Sequence, residues 1–111
     1  MTRTHRIHCQ NPWFTYIKQG RKTVEGRKGL PKYANWQKGD KLVFFLDDDE
    51  FETTVTGINR YDSIEEYLQG ETIERALPGV LTMEEGVKIY LQWSTRAEIH
   101  KYGFLGIQVQ R

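Results

Sequence analysis

Apolar positions along the chain recur with two different periods, and the switches between them mark its elements. From Thr4 to Gln10, Ile7 is flanked by alternating polar residues, the pattern of a half-buried strand. Asn11-Pro12 then offers a cap and a first-turn proline to a helix. Trp13, Phe14 and Ile17 share one face of that helix, and Gly20 stops it. Thr23 to Lys28 reads as a short second strand, and Gly29 to Asp40 as a loop carrying Pro31, Tyr33, Trp36 and the turn pair Gly39-Asp40. Lys41 to Leu46 and Phe51 to Arg60 predict a hairpin around the acidic turn Asp47-Asp48-Asp49-Glu50. Gly57 interrupts the second hairpin strand and predicts a bulge there. Ser63 with Glu66, Thr82 with Glu85, and Thr95 with Glu98 have capping-box spacing, so three helices follow. Pro78-Gly79 divides the first of these from the second, and Tyr102-Gly103 ends the last. Leu105, Ile107 and Val109 alternate with Gly106, Gln108 and Gln110 in a closing strand with one buried face.

Strands interrupted by helices, with a hairpin in the middle, fit an α+β fold built on a small barrel better than a parallel sheet. The 111 residues show no repeat, linker or low-complexity tract, so a single domain over residues 1–111 is expected. The longest apolar run, the five residues Leu42 to Leu46, is far short of the roughly 20 that a membrane-spanning helix needs. No basic-then-apolar signal segment opens the chain. An intracellular, cytoplasmic location (or a nuclear one in a eukaryote) is therefore expected. The one cysteine, Cys9, cannot form an internal disulfide, and no cysteine cluster is present for a structural zinc.

The net charge of +1 conceals a polarised chain. Residues 1–41 hold ten Lys/Arg against two acids, whereas residues 42–111 hold six against thirteen. A basic half points to an anionic partner. The alternative is that the two halves interleave in space and cancel.

Candidate chemistry concentrates in Gly20-Arg21-Lys22-Thr23-Val24-Glu25-Gly26-Arg27. On a strand, Thr23, Glu25 and Arg27 share one face and Lys22, Val24 and Gly26 the other. Lys22 stands where helix meets strand, from where its long side chain can curl toward Glu25. Such a patch can read a polar edge: Glu25 accepts from an amino group, while Arg27 and Lys22 grip a carbonyl or phosphate. Gly26 allows a ligand or a neighbouring backbone close approach. The alternative is an exposed strand face with a surface Glu–Arg pair. Tyr33 and Trp36, interleaved with Lys28, Lys32 and Lys38, have the composition of a nucleobase-stacking site; equally, Trp36 can plug the end of the barrel. His5 and His8 face opposite sides of a strand and His100 lies far along the chain, so no metal is expected; no cofactor fingerprint is present either. Asp47 to Glu50 lacks the alternation of a calcium loop. Cys9 reads as a small buried hydrophobe, and Trp13 and Phe14 as core.

The Lys22-Thr23-x-Glu25-x-Arg27 segment after Gly20 resembles the signature of the ASCH domain family. Lys38-Gly39-Asp40 with Leu42 to Leu46, then Arg60 to Leu68, then Tyr90 to Ser94 with Glu98, Lys101, Tyr102, Gly103 and Leu105-Gly106-Ile107, are similar to its later blocks, in the same order. The resemblance covers roughly residues 5 to 110. It implies a PUA-like β-barrel of about five to six strands flanked by about three to four helices. It also implies a cleft lined by Lys22, Glu25 and Arg27, and a role in binding RNA, a nucleotide or a modified nucleobase. In that role Lys28 joins Lys22 in neutralising phosphate, and Tyr33 or Trp36 stacks on the base.

One branch of the family resembles small amidohydrolases that deacetylate N(4)-acetylcytidine through a Lys-Thr-x-Thr-x-Arg motif, which makes Lys22, Thr23 and Glu25 candidate catalytic residues. Glu25 stands at the nucleophile position of that motif, where a carboxylate supplies a base for water and not an acylable hydroxyl. Cleavage of RNA is a further enzymatic alternative. An adaptor role using Trp93 and the nearby helices is the alternative without nucleic acid.

Overall fold

The alternating segments pair into one mixed sheet. The computed structural model describes residues 2–111. Its strands β1 (Thr4–His8), β2 (Val24–Lys28), β3 (Lys41–Leu46), β4 (Asp49–Tyr61) and β5 (Phe104–Gln110) lie in the order β1-β3-β4-β5-β2. β1 runs parallel to β3, and every other pairing is antiparallel. The sheet curls into a half-barrel whose two edges are β1 and β2. Five helices accompany it, α1 (Trp13–Lys18), α2 (Ile64–Glu71), α3 (Ile73–Ala76), α4 (Met83–Tyr90) and α5 (Arg96–Tyr102), with a 3-10 turn over Pro31–Tyr33. The fold is α+β, as the element order predicts. No helix of the described residues is long and apolar enough to cross a membrane.

Several elements differ from their expected bounds for local reasons. The β3–β4 hairpin turns within Asp47 and Asp48, because Asp47 takes a left-handed φ of 52° and Asp49 already pairs with Leu46. Gly57 does mark a bulge: the β4–β5 register shifts between Val55 and Gly57. Thr72, at φ 78°, breaks what the sequence presents as one helix into α2 and α3, its hydroxyl accepting from the Arg75 amide. The hydroxyls of Ser63, Thr82 and Thr95 all cap their helices, but only Thr95 and Glu98 complete the reciprocal box. Pro12 occupies the cap of α1 instead of its first turn, and Asn11 accepts from the Thr15 amide and hydroxyl.

The curl gives the sheet two apolar faces. Inside it, Ile7, Phe14, Leu42, Phe44, Val55 and Ile107 form one buried cluster, closed at one end by α1. Outside it, Val24 and Phe104 pack with Ile64, Tyr67, Leu77 and Ile99 from the helices. Alternation along β2 and β5 serves both: Val24 and Gly26 lie opposite Gln108 and Gly106 on the helical side, and Glu25 and Arg27 lie opposite Ile107 and Leu105 on the inner side.

Glu71 is buried under α2 and accepts from Asn59 Nδ2 (2.9 Å), Tyr61 Oη (2.5 Å) and Gln108 Nε2 (2.9 Å). Burial pushes its pKa up, but these bonds outweigh it and hold the group below the ordinary carboxylate range. A Cβ at Gly106 would stand 2.8 Å from Glu71 Oε2 and 2.9 Å from its Cγ. Gly106→Ala is therefore expected to cost about 1–3 kcal/mol, read as a lower urea midpoint. An unchanged midpoint would show that the Glu71 network can shift to make room.

The two charge blocks interleave in part. Arg6–Glu50, Lys18–Asp49 and Lys28–Glu98 each join a cation of residues 1–41 to an acid of the remainder.

Candidate functional site

Where the half-barrel stays open, the end of β1 faces β2 across a cleft of about 330 Å³. The Arg27 side chain spans the seam: its Nη2 donates to the His8 carbonyl at 2.7 Å. The floor is an ion cluster. Glu25 Oε2 accepts from Arg27 Nη2 at 2.8 Å and Nε at 3.2 Å, and its Oε1 lies 3.6 Å from Lys22 Nζ. Lys22 reaches this position from outside the strand. Its ammonium donates to the Val24 carbonyl at 2.6 Å and to the Ala76 carbonyl at the end of α3. The Lys22 side chain is 1% exposed, that of Glu25 7%, and that of Arg27 29%, so only the guanidinium reaches solvent appreciably.

Burial and pairing pull against each other at every member of this cluster. Burial raises the pKa of Glu25, but the adjacent Arg27 and Lys22 charges more than offset that and leave it below its ordinary value. Arg27 loses from burial and gains more from Glu25, so its pKa is raised. Burial is the dominant influence on Lys22 and lowers its pKa, with Glu25 opposing. The cluster sets the Glu25 carboxylate between the Arg27 guanidinium and the Lys22 amine, whose charged form burial disfavours, at the bottom of a partly dry cleft. Beside it, burial and then Glu25 push the Cys9 thiol up to about 12. That makes Cys9 a protonated packing residue.

The walls are aromatic. Trp13 from α1, Tyr33 from the 3-10 turn, Tyr90 from α4, Trp93 just beyond α4, and Phe104 from β5 line the cleft. Tyr90 is fixed by a 2.8 Å hydrogen bond between its hydroxyl and that of Tyr67, and Trp93 remains 46% exposed at the rim. Lys32 and Lys28 stand at the mouth. Lys28 is tied to Glu98 of α5 at 3.0 Å, while Lys32 Nζ lies 5.3 Å from the Tyr33 ring centroid.

The cleft thus gathers Lys22, Glu25, Arg27, Lys28 and Tyr33. Two residues singled out in the sequence lie elsewhere. Thr23 is not among the lining residues, and its backbone joins Arg75 and Val109. Trp36 is also outside: it stacks on His5 at 4.4 Å and is half-buried against the inner cluster. His5 in turn bonds Asp40 Oδ2 at 2.8 Å. At Gly26 the approach is by the helical side, since a Cβ there would meet Tyr67 Oη at 2.7 Å and Phe104 at 2.8 Å. Trp13, Tyr90, Trp93 and Phe104 are the aromatic lining residues that the sequence did not mark as cleft residues. Tyr90 and Trp93 fall in the Tyr90 to Ser94 block of the family resemblance, which carried the one available signal. Among the described residues, no three His, Cys, Asp or Glu side chains gather to hold a metal ion.

Comparison with known proteins adds family and fold. The ASCH domain family model matches residues 7–110. The crystal structure of the hypothetical protein PH0355 superposes with a TM-score of 0.89 at 34% identity, covering 98% of each chain. The solution structure of protein PF0455 from Pyrococcus furiosus gives 0.78 at 28% identity, covering 98% of this chain and 96% of that one. No curated protein sequence matches the chain.

Proposed function

The chain belongs to the ASCH domain family, and from that premise and the chemistry of the cleft we propose that it is a PUA-like module that binds a nucleobase or nucleotide, free or within RNA. The observation carrying this reading is the Lys22–Glu25–Arg27 cluster set at the floor of an aromatic-walled cleft of about 330 Å³. Planar rings are held by aromatic walls, with stacking worth about 1–3 kcal/mol per base. Polar edges are read by fixed donors and acceptors, and here Glu25 is held as an acceptor and Arg27 as a donor without needing to reorganise. Lys32 at the mouth would take the phosphate, with Lys28 joining it only by leaving Glu98.

A hydrolytic role for the same residues has less support. An ammonium has three N–H groups, and the Lys22 ammonium already faces Val24 O, Ala76 O and Glu25. Stabilising a developing oxyanion would require it to abandon one of them. Thr23, the hydroxyl of the motif, is not in the cleft lining. Lys22 therefore reads as the cation that positions Glu25.

Quenching of tryptophan fluorescence by nucleoside monophosphates and by a short single-stranded RNA tests the proposal. Binding should weaken with salt, at a log–log slope near −0.7 per phosphate contact. Trp93→Ala, a substitution at the exposed rim, should cost roughly fivefold or more in affinity. Folded protein that shows no quenching with any of these ligands at low salt would remove the reading.

A further inference from the structure

On the other side of the Leu30–Tyr33 segment lies a second, more open hollow of about 420 Å³. Leu30 and Tyr33 line both hollows, so the two adjoin on either side of that segment. The chemistry of the second is different. Among its lining residues there is no acid, and two cations, Arg60 and Lys101, stand there without a carboxylate within ion-pair distance among the described residues. In the main cleft, by contrast, Arg27 and Lys28 are committed to Glu25 and Glu98.

The Arg60 guanidinium lies over the backbone that ends α5. It lies so close over Gly103 that a Cβ there would meet Nε, Cζ and Nη2 at 2.8 to 2.9 Å, and Gly103 has a φ of 78° that itself favours glycine. Lys101 Nζ lies 5.1 Å from the Tyr102 ring centroid. Trp36 and Tyr102 supply aromatic surface to this hollow, and Trp36 is stiffened by its stack on His5.

Resting on the reading of the main cleft as a base site, we infer that this second hollow is a phosphodiester subsite, with Arg60 and Lys101 gripping backbone phosphate and Trp36 or Tyr102 supporting the neighbouring base. The ligand is then a single-stranded nucleic acid of more than one nucleotide, bent around the Leu30–Tyr33 segment, and not a free mononucleotide. Charge complementarity and adjacency to the main cleft select this occupant. A polyanion crossing two unpaired cations and flanking aromatic rings gains both counterion release and stacking.

The test compares a labelled single-stranded RNA hexanucleotide with a nucleoside monophosphate on wild-type protein, Arg60→Gln, Lys101→Gln and Arg27→Ala. Both glutamine substitutions are at exposed positions. Each should weaken hexanucleotide binding roughly three- to tenfold and make its salt dependence shallower by about 0.7 in log–log slope. Neither should change mononucleotide affinity. Wild-type hexanucleotide affinity and slope in both glutamine variants would overturn the subsite, and the main-cleft reading would survive if Arg27→Ala still weakened both ligands. Equal binding of a duplex would also overturn it, because paired bases cannot splay onto the rings. Absence of binding by either ligand to folded wild-type protein would overturn the subsite together with the reading on which it rests.

Discussion

Glu25→Gln should lower the stability of the fold by about 3–5 kcal/mol at neutral pH, because it removes the carboxylate that pairs with Arg27 and Lys22 where there is little water. Lys22 has no solvent to turn to, with its side chain 1% exposed. Arg27, at 29%, can swing outward and recover part of the loss. The same substitution should change the acid limb of the stability curve. The folded pKa of Glu25 lies below its ordinary value of 4.5: burial raises it, and the charges of Arg27 and Lys22 more than reverse that. A carboxylate depressed in this way contributes its full stabilisation above the unfolded value and loses it as the pH falls through the lower, folded value. Wild-type protein should therefore lose stability on acidification below about pH 4.5, and the glutamine variant should lose less over that range. Asp40, Asp49, Glu65, Glu71 and Glu98 are depressed as well and give both proteins a common acid slope. The difference between the two urea-midpoint series isolates Glu25. Equal stability at neutral pH with parallel acid limbs would mean that the cluster contributes nothing to the fold.

How much of this was readable in the chain depends on the range of the interaction concerned. Local signals carried the elements: the period-2 alternation of β5, the hydroxyl caps of α2, α4 and α5, and the bulge at Gly57 all depend on a few neighbouring residues. What the pattern did not carry is set by contacts between distant segments. That β1 and β2 become the two edges, bridged by Arg27 and His8, follows from how far the sheet curls, and no local period encodes it. The break at Thr72 was hidden because β-branched residues rarely adopt a left-handed φ and nothing in Gln69 to Ala76 advertises one.

The candidate site shows the same division. Glu25 and Arg27 were legible as a pair on one strand face. The burial of Lys22 was not, because lysine is almost never fully buried without a partner and its partners include a carbonyl 54 residues away. The aromatic walls come from α1, the 3-10 turn, α4 with the residues just beyond it, and β5, segments that meet only in the folded chain. Trp36, in turn, had the right composition around it but a different fate: its ring stacks on His5, whose bond to Asp40 also explains the buried aspartate. The polarised charge distribution overstated the separation of the two halves, since hairpin acids Asp49 and Glu50 fold back on Lys18 and Arg6.

Lys22→Met decides whether that buried ammonium is structural or free for chemistry. Methionine matches the unbranched stem and suits an apolar channel, so the change removes the charge and its three hydrogens with little loss of packing. Two backbone carbonyls lose a charged donor, and Glu25 is left with Arg27 alone. Breaking a buried pair from one side is expected to cost about 3 kcal/mol or more. The carbonyl of Ala76 links α3 to β2 through this side chain, so the loss should be accompanied by faster amide exchange around residues 72–77. Adding Glu25→Gln to Lys22→Met should cost less than the sum of the two single changes, since the anion left exposed by the first is removed by the second. Ligand affinity in a folded Lys22→Met protein should fall through the misplacement of Glu25, and Lys22→Arg should not restore it, because a planar guanidinium cannot reproduce three divergent donors in a channel shaped for an ammonium. A Lys22→Met protein within about 1 kcal/mol of wild type, additive with Glu25→Gln, would contradict the positioning role. It would leave the ammonium as a group kept for chemistry on the ligand.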